Sequence, residues 1–211
     1  MELVERDYKI FKEIERWRFC LSRHILFLGD FSSQRICDRR LSLLISEGYI
    51  NRRSIIYGVP SVYILTRKSK TLISANQRED KIRYDQIIHD VTVLDIAICF
   101  MKHFNISPDG IRTEKQLHQE DGFGERAHRP DFIFTKSNST YCVEVELSLK
   151  SRLRLEKNIS SNFHKYDTQI WIVGEYTHKL TRQLEEFRIK YPNIKYVNVM
   201  EAKNGIFKFI D

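Results

Sequence analysis

Three carboxylates carry the strongest chemical signal in this sequence. Asp131 stands in RPDFIF, and Glu144 and Glu146 follow in VEVELSLK. Side chains at i and i+2 of a strand share a face, so Glu144 and Glu146 lie with Cys142 and Ser148, while Tyr141, Val143, Val145 and Leu147 take the other, apolar face. A strand carrying Asp131 beside this one brings three acids into a small volume. Carboxylates held that close repel and need a compensating cation, and hard oxygen donors suit Mg²⁺ or Mn²⁺. The expected chemistry is metal-dependent phosphodiester cleavage, with Asp131, Glu144 and Glu146 as metal ligands and catalytic groups. The plainer alternative is a polar sheet face with no catalytic role.

Other residues border this site in the sequence. Lys150 follows Glu146 at a helix start and can reach back to it. Arg152, Arg154 and Lys157 make that helix start basic, suited either to tracking a DNA backbone or to a solvated face. Arg129 can hold a phosphate or balance the carboxylates. Glu114, in or just after the first strand of this region, is either a fourth acid or an exposed strand end. His89, next to Asp90, reads more simply as a core-facing histidine than as a catalytic one. Tyr141 and Tyr166 are weaker as covalent nucleophiles than an activated water, since Tyr141 falls on the apolar face and Tyr166 has no motif around it.

The elements that must position these groups begin with YDQIIHDVTVLDIAICFMKHF, a long helix with Ile87, Val91, Leu94, Ile98 and Met101 at helical spacing. A short strand follows near GIRTEKQL, then the charged loop HQEDGFGERAH. DFIF and TYCVEVEL read as strands joined by a KSNS turn, and a helix starts over 150–158. QIWIVG, HKLTRQLEEFRIK and IKYVNVM complete an order of α-β-β-β-α-β-α-β across 84–211. A polar stretch, SANQREDKIR at 74–83, separates this body from a head over 1–75.

The head reads as three helices and a hairpin. Tyr8, Ile10, Phe11, Ile14 and Trp17 mark the first helix, and Ser22 to Leu28 the second. The third runs from an N-cap at Ser32 or Ser33 to a C-cap at Gly48. Ile36, Cys37, Leu41, Leu44 and Ile45 form its buried stripe, and Gln34, Arg35, Asp38, Arg39 and Ser42 its exposed face. YINRRSIIYGVPSVYILT is a hairpin around Gly-Val-Pro. That order is the one of a winged helix-turn-helix. Arg for guanine edges and Gln for adenine are what major-groove reading uses, and Arg52 and Arg53 on the wing suit phosphates. Arg40 sits at the stripe's edge, where Asp38 or Glu47 can pair with it. Winged helices also serve as protein-binding modules.

Charge distribution favours DNA. Of a net +7, residues 1–75 carry 14 Lys and Arg against 8 Asp and Glu, and the remainder 21 against 20. Hydrophobic residues at 42% and aromatics at 12% predict a folded, soluble chain. Cys20, Cys37, Cys99 and Cys142 are scattered without a CxxC pair, which argues against zinc or a disulfide framework and for reduced thiols in the cytoplasm. MELVERDYKIF is unlike a signal peptide, and no apolar run reaches membrane-spanning length.

The body's order, with an acid on its second strand and paired acids on its third, resembles the PD-(D/E)xK nuclease superfamily. Pro130-Asp131 stands for its "PD" and Glu144-Val145-Glu146 for its "(D/E)xK", with Glu146 where that pattern has lysine. Together with ERDYKIFKEIERWRF, HDV, RTEKQL and RPDFIF…VEVELSLKS, the chain resembles the replication-relaxation family, itself similar to the class-C plasmid mobilisation relaxases. The resemblance covers nearly the whole chain. It implies an α+β protein of two modules, a winged helix followed by a restriction-endonuclease-like domain. It also implies metal-dependent nicking of double-stranded plasmid DNA at a transfer or replication origin, relaxosome accessory or coupling proteins as partners, and a possible homodimer. A catalytically inactive accessory factor or regulator on the same fold is the alternative.

Overall fold

The computed structural model describes residues 2–55, 57, 58, 60–78, 82–121 and 128–207. It is a mixed α+β protein in which helices precede a mixed sheet. Two compact units, Met1–Leu94 and Asp95–Asp211, divide the chain.

In the first unit, α1 (Glu5–Trp17) buries Ile10, Phe11, Ile14 and Trp17 at helical spacing. Asp7 closes its first turn by accepting the Val4 N–H at 2.8 Å. Cys20 then forms an antiparallel bridge with Tyr63, ahead of α2 (Ser22–Leu28). α3 (Gln34–Ser46) starts where Ser33 Oγ accepts the Ile36 N–H. It stops at Gly48, whose φ of 73° is left-handed and favours glycine. Cys37, Leu41 and Leu44 are its buried stripe. Ile36, expected in that stripe, is exposed, because its position turns it toward the face of Arg35 and Arg39. A hairpin of β1 (Ile50–Arg53) and β2 (Val62–Leu65) follows. Of the expected Gly-Val-Pro turn, Val59 lies outside the described residues.

A further short helix, α4 (Arg67–Leu72), is capped by Thr66 accepting the Ser69 N–H. The long helix α5 (Ile87–Phe104) comes next, and the units divide inside it. The division falls later than the polar stretch at 74–83 because Ile87 and Val91 complete an apolar cluster with Phe19, Leu21, Val62 and Ile64. The first turns of α5 therefore belong to the head.

The second unit is built on a five-stranded sheet of order β3-β4-β5-β6-β7. These strands are β3 (Ile111–Thr113), β4 (Phe132–Lys136), β5 (Ser139–Glu146), β6 (Thr168–Val173) and β7 (Ile194–Asn198). β3, β4 and β5 run antiparallel, and β5, β6 and β7 parallel. Ser137 and Asn138, with φ of 49° and 64°, make the two-residue turn between β4 and β5. The parallel pairs are joined through α7 (Arg152–Phe163) and α8 (His178–Arg188).

Each face of the sheet has its own cover. Phe100 of α5 meets Phe132 and Phe134 at 5.7 and 5.6 Å between ring centroids, and Tyr141 stacks on Phe134 at 4.9 Å. On the opposite face, Trp171 and Val173 pack with Leu155 and Ile159 of α7 and Leu180, Leu184 and Phe187 of α8.

Two helices depart from the expected order. α6 (Glu114–Glu120) replaces the second half of the expected RTEKQL strand and the start of the expected loop. Thr113 Oγ1 accepts the Gln116 N–H and Gln116 Oε1 accepts the Thr113 N–H, a reciprocal cap that ends β3 after three residues. α9 (Val199–Lys203) follows β7, with Asn198 Oδ1 accepting the Met200 N–H. Among the described residues no helix is long and apolar enough to cross a membrane.

Candidate functional site

The acidic face of the body is set by strand register. Glu144 lies beside Trp171 and Glu146 beside Val173, so both glutamates point to the side covered by α7 and α8. They are 4% and 3% exposed. Phe132 pairs with Val143, which puts Asp131 just ahead of β4 and opposite the middle of β5. The alternation expected for Cys142, Glu144 and Glu146 is present, while Ser148 falls beyond the strand and is exposed.

Buried carboxylates need compensation, and here each has an internal partner. Asp131 Oδ2 accepts the Val145 N–H at 2.7 Å, which turns that carboxylate toward the strand backbone. Glu144 Oε1 accepts from Asn162 Nδ2 at 2.8 Å and lies 2.5 Å from His128 Nε2, the ring nitrogen that donates to it. The Lys150 ammonium is paired with the Glu146 carboxylate. Among the described residues, no three His, Cys, Asp or Glu side chains are grouped to hold a metal ion. One oxygen of each of the three carboxylates is thus engaged by a protein partner.

The bordering residues divide by what they touch. Glu114 is the first residue of α6, its N–H donating to Asp131 O at 2.9 Å and its carboxylate 3.7 Å from His118. Arg129 Nε donates to Asp121 Oδ2 at 2.6 Å. Arg152 is drawn to α8, with Nη1 donating to Glu186 Oε2 at 2.5 Å and its guanidinium over the Phe187 ring. Arg154 and Lys157 are exposed. His89 Nδ1 lies 3.2 Å from Asp90 Oδ1 in the other unit. Tyr166 packs against Leu117, Ile133 and Cys142, and burial pushes its hydroxyl up to about 12. Such a phenol is poorly placed to ionise and attack.

Two contacts were not anticipated from the sequence. His128 stands three residues before Asp131. Asn162 belongs to the α7 stripe Leu155, Asn158, Ile159 and Asn162, all of them buried. Amides at core positions of an amphipathic helix are the sequence signal that would have found it, since a buried amide needs a polar partner.

The head presents a second site. Gln34, Arg35, Asp38, Arg39 and Ser42 of α3 are exposed, as are Arg52 and Arg53 of β1. No ion pair joins Arg35 or Arg39 to another described residue. Gln34 Nε2 is held by Asp38 Oδ1 at 2.7 Å and by Ser22, which engages the amide expected to read adenine. Arg40 is half-buried and turns toward α1 instead. It forms a two-point pair with Asp7 of α1, Nε to Oδ1 being 2.9 Å, rather than pairing with Asp38 or Glu47. Asp7 is fully buried, so the pairing raises the affinity of Arg40 for its proton still further.

No protein-family model matches the sequence, and no curated protein is significantly similar to it.

Proposed function

We propose that this chain is a DNA-binding protein of plasmid mobilisation or replication, with a winged-helix head and a body of the PD-(D/E)xK nuclease type. The observation that carries the reading is the exposed face of α3. Arg35 and Arg39 project from the third helix, with Arg52 and Arg53 on the hairpin that follows. The order α1, bridge at Cys20, α2, α3, β1, β2 supports a winged helix. An acid ahead of β4, paired acids on β5 and a helix into parallel β6 support the nuclease-type body. Relaxosome or coupling proteins, or a second copy of the chain, are partners consistent with this role.

The test is binding to labelled duplex DNA at two salt concentrations. Affinity is expected to fall with salt. The double substitution Arg35→Ala, Arg39→Ala is expected to weaken sequence-specific binding by roughly thirtyfold or more, at about 1–3 kcal/mol for each of two guanine contacts. Specific binding that survives both changes overturns the assignment of α3.

Strand nicking is a second reading, favoured by one observation. Lys150 brings an ammonium onto Glu146, which returns a lysine to the face where the nuclease pattern has one. A supercoiled-plasmid relaxation assay with Mg²⁺ or Mn²⁺ separates the readings. Relaxation lost in both Asp131→Ala and Glu144→Ala supports the enzyme. Duplex binding without relaxation leaves the DNA-binding role alone.

A further inference from the structure

The first turn of α3 presents three side chains of different chemistry. Gln34 is tied down. Its Nε2 donates to Asp38 Oδ1 at 2.7 Å, and Ser22 of α2 engages both residues, its Oγ donating to Asp38 Oδ1 at 2.6 Å. Arg35 stands in solvent. Ile36 follows at 48% exposure, although Cys37 beside it is fully buried.

In a helix-turn-helix, the N-terminal residues of the recognition helix are the ones that reach base edges. The locked amide of Gln34 is withdrawn from adenine, while the Arg35 guanidinium suits guanine. Ile36 has no group that can hydrogen-bond, and the apolar feature of the major groove is the C5-methyl of thymine. The surroundings of Ile36 fit that match. Arg39, three residues on, is its neighbour on the helix surface, so a guanidinium borders the aliphatic chain on the exposed face. Ser33 Oγ accepts the Ile36 N–H, which fixes the backbone that carries the side chain. Leu43, also exposed, stands seven residues further, about 10 Å along the helix axis and away from that first turn.

We infer that Ile36 reads the C5-methyl of one thymine in the bound duplex, beside the bases met by Arg35 and Arg39. The inference rests on the DNA-binding reading above and deepens it, since the bound site then holds a T·A pair next to G·C pairs.

The test selects a bound duplex from a random-sequence pool with the whole chain. Each thymine is then replaced in turn by deoxyuridine, which lacks the methyl. Wild type is expected to lose about fourfold in affinity at one thymine, the worth of one apolar carbon withdrawn from contact. Ile36→Ala is expected to bind the unsubstituted duplex more weakly and to lose the difference between thymine and deoxyuridine there. Ile36 is an exposed aliphatic side chain, so its variant reports without unfolding the head. Leu43→Ala is expected to keep the fourfold difference. Wild type that binds every deoxyuridine duplex as tightly as the original overturns the inference and spares the role of α3. A difference that persists in Ile36→Ala gives the methyl to another residue and overturns it too. Methyl-insensitive binding, with a changed sedimentation of Ile36→Ala, assigns the residue to a contact between copies of the chain instead. If no duplex is selected, both readings fall.

Discussion

The head and the body handle charge in opposite ways. On α3, Arg35 and Arg39 stand in solvent, and the head's buried acid Asp7 is held in a two-point pair by Arg40. In the body, Glu144 and Glu146 are buried, and their partners come from His128, Asn162 and Lys150. Exposed cations keep their hydration until an outside anion replaces it, at little cost to the fold. Buried anions have no such freedom and are compensated from within. The groups that compensate them each engage one carboxylate oxygen. A surface rich in exposed charge is therefore poised for a partner, whereas a buried acidic cluster is a site only after its internal partners move.

The sharpest way to break this contrast is to remove charge from each kind of place and measure stability. Arg40→Ala strips the cation from the fully buried Asp7 carboxylate and is expected to cost about 3–5 kcal/mol in urea unfolding. Arg35→Ala is expected to stay within about 0.5 kcal/mol of wild type. Equal costs would erase the distinction. Glu144→Ala comes next. It leaves Asn162 and His128 without their acceptor, and a loss of about 1–3 kcal/mol is expected, with Glu144→Gln recovering most of it because its carbonyl oxygen still accepts. A gain in stability for Glu144→Ala would mean that carboxylate repulsion outweighs internal pairing. The body would then be a strained ion-binding cluster rather than a compensated one.

How far the sequence reveals each region follows the same physics. Periodicity placed α2 from Ser22 to Leu28, and capping chemistry narrowed the start of α3 to Ser32 or Ser33, of which Ser33 is the cap, because both are local effects. The alternation in VEVE put Glu144 and Glu146 on one face for the same reason. Lys150, four residues from Glu146, lay within local reach and does pair with it. The Thr113–Gln116 reciprocal cap is also local, yet α6 forms where the pattern suggested strand over EKQL and loop over HQE. What periodicity does not carry is the choice of partner across long separations. Arg40 faces local acids at Asp38 and Glu47 but pairs with Asp7, since packing α1 near α3 buries an acid that needs a cation. Asn162 reaches Glu144 only once α7 lies on the sheet. The convergence of three acids was inferred from face and register alone, and the backbone N–H of Val145 competes for one of them.

The smallest expected effect tests the floor of α3, where the exposed face meets the core. Cys37 sits in the buried stripe, and burial, with the nearby Asp38 charge, pushes its thiol up to about 11. An unfolded cysteine titrates near 8.5. The folded head therefore favours the neutral thiol, and below about pH 8.5 both states are protonated, so the full contribution is present. As pH rises from about 8.5 toward 11 the unfolded chain loses its proton first, and stability falls. Cys37→Ala is expected to be somewhat less stable at neutral pH, from the lost packing, yet to lose less stability over that alkaline window. The residual slope belongs to other thiols such as Cys20, whose proton burial also holds strongly. Urea unfolding of both proteins at neutral and alkaline pH measures the difference. Identical slopes would mean that the Cys37 thiol reaches solvent, and that the interior beneath Arg35 and Arg39 is no drier than the face above it.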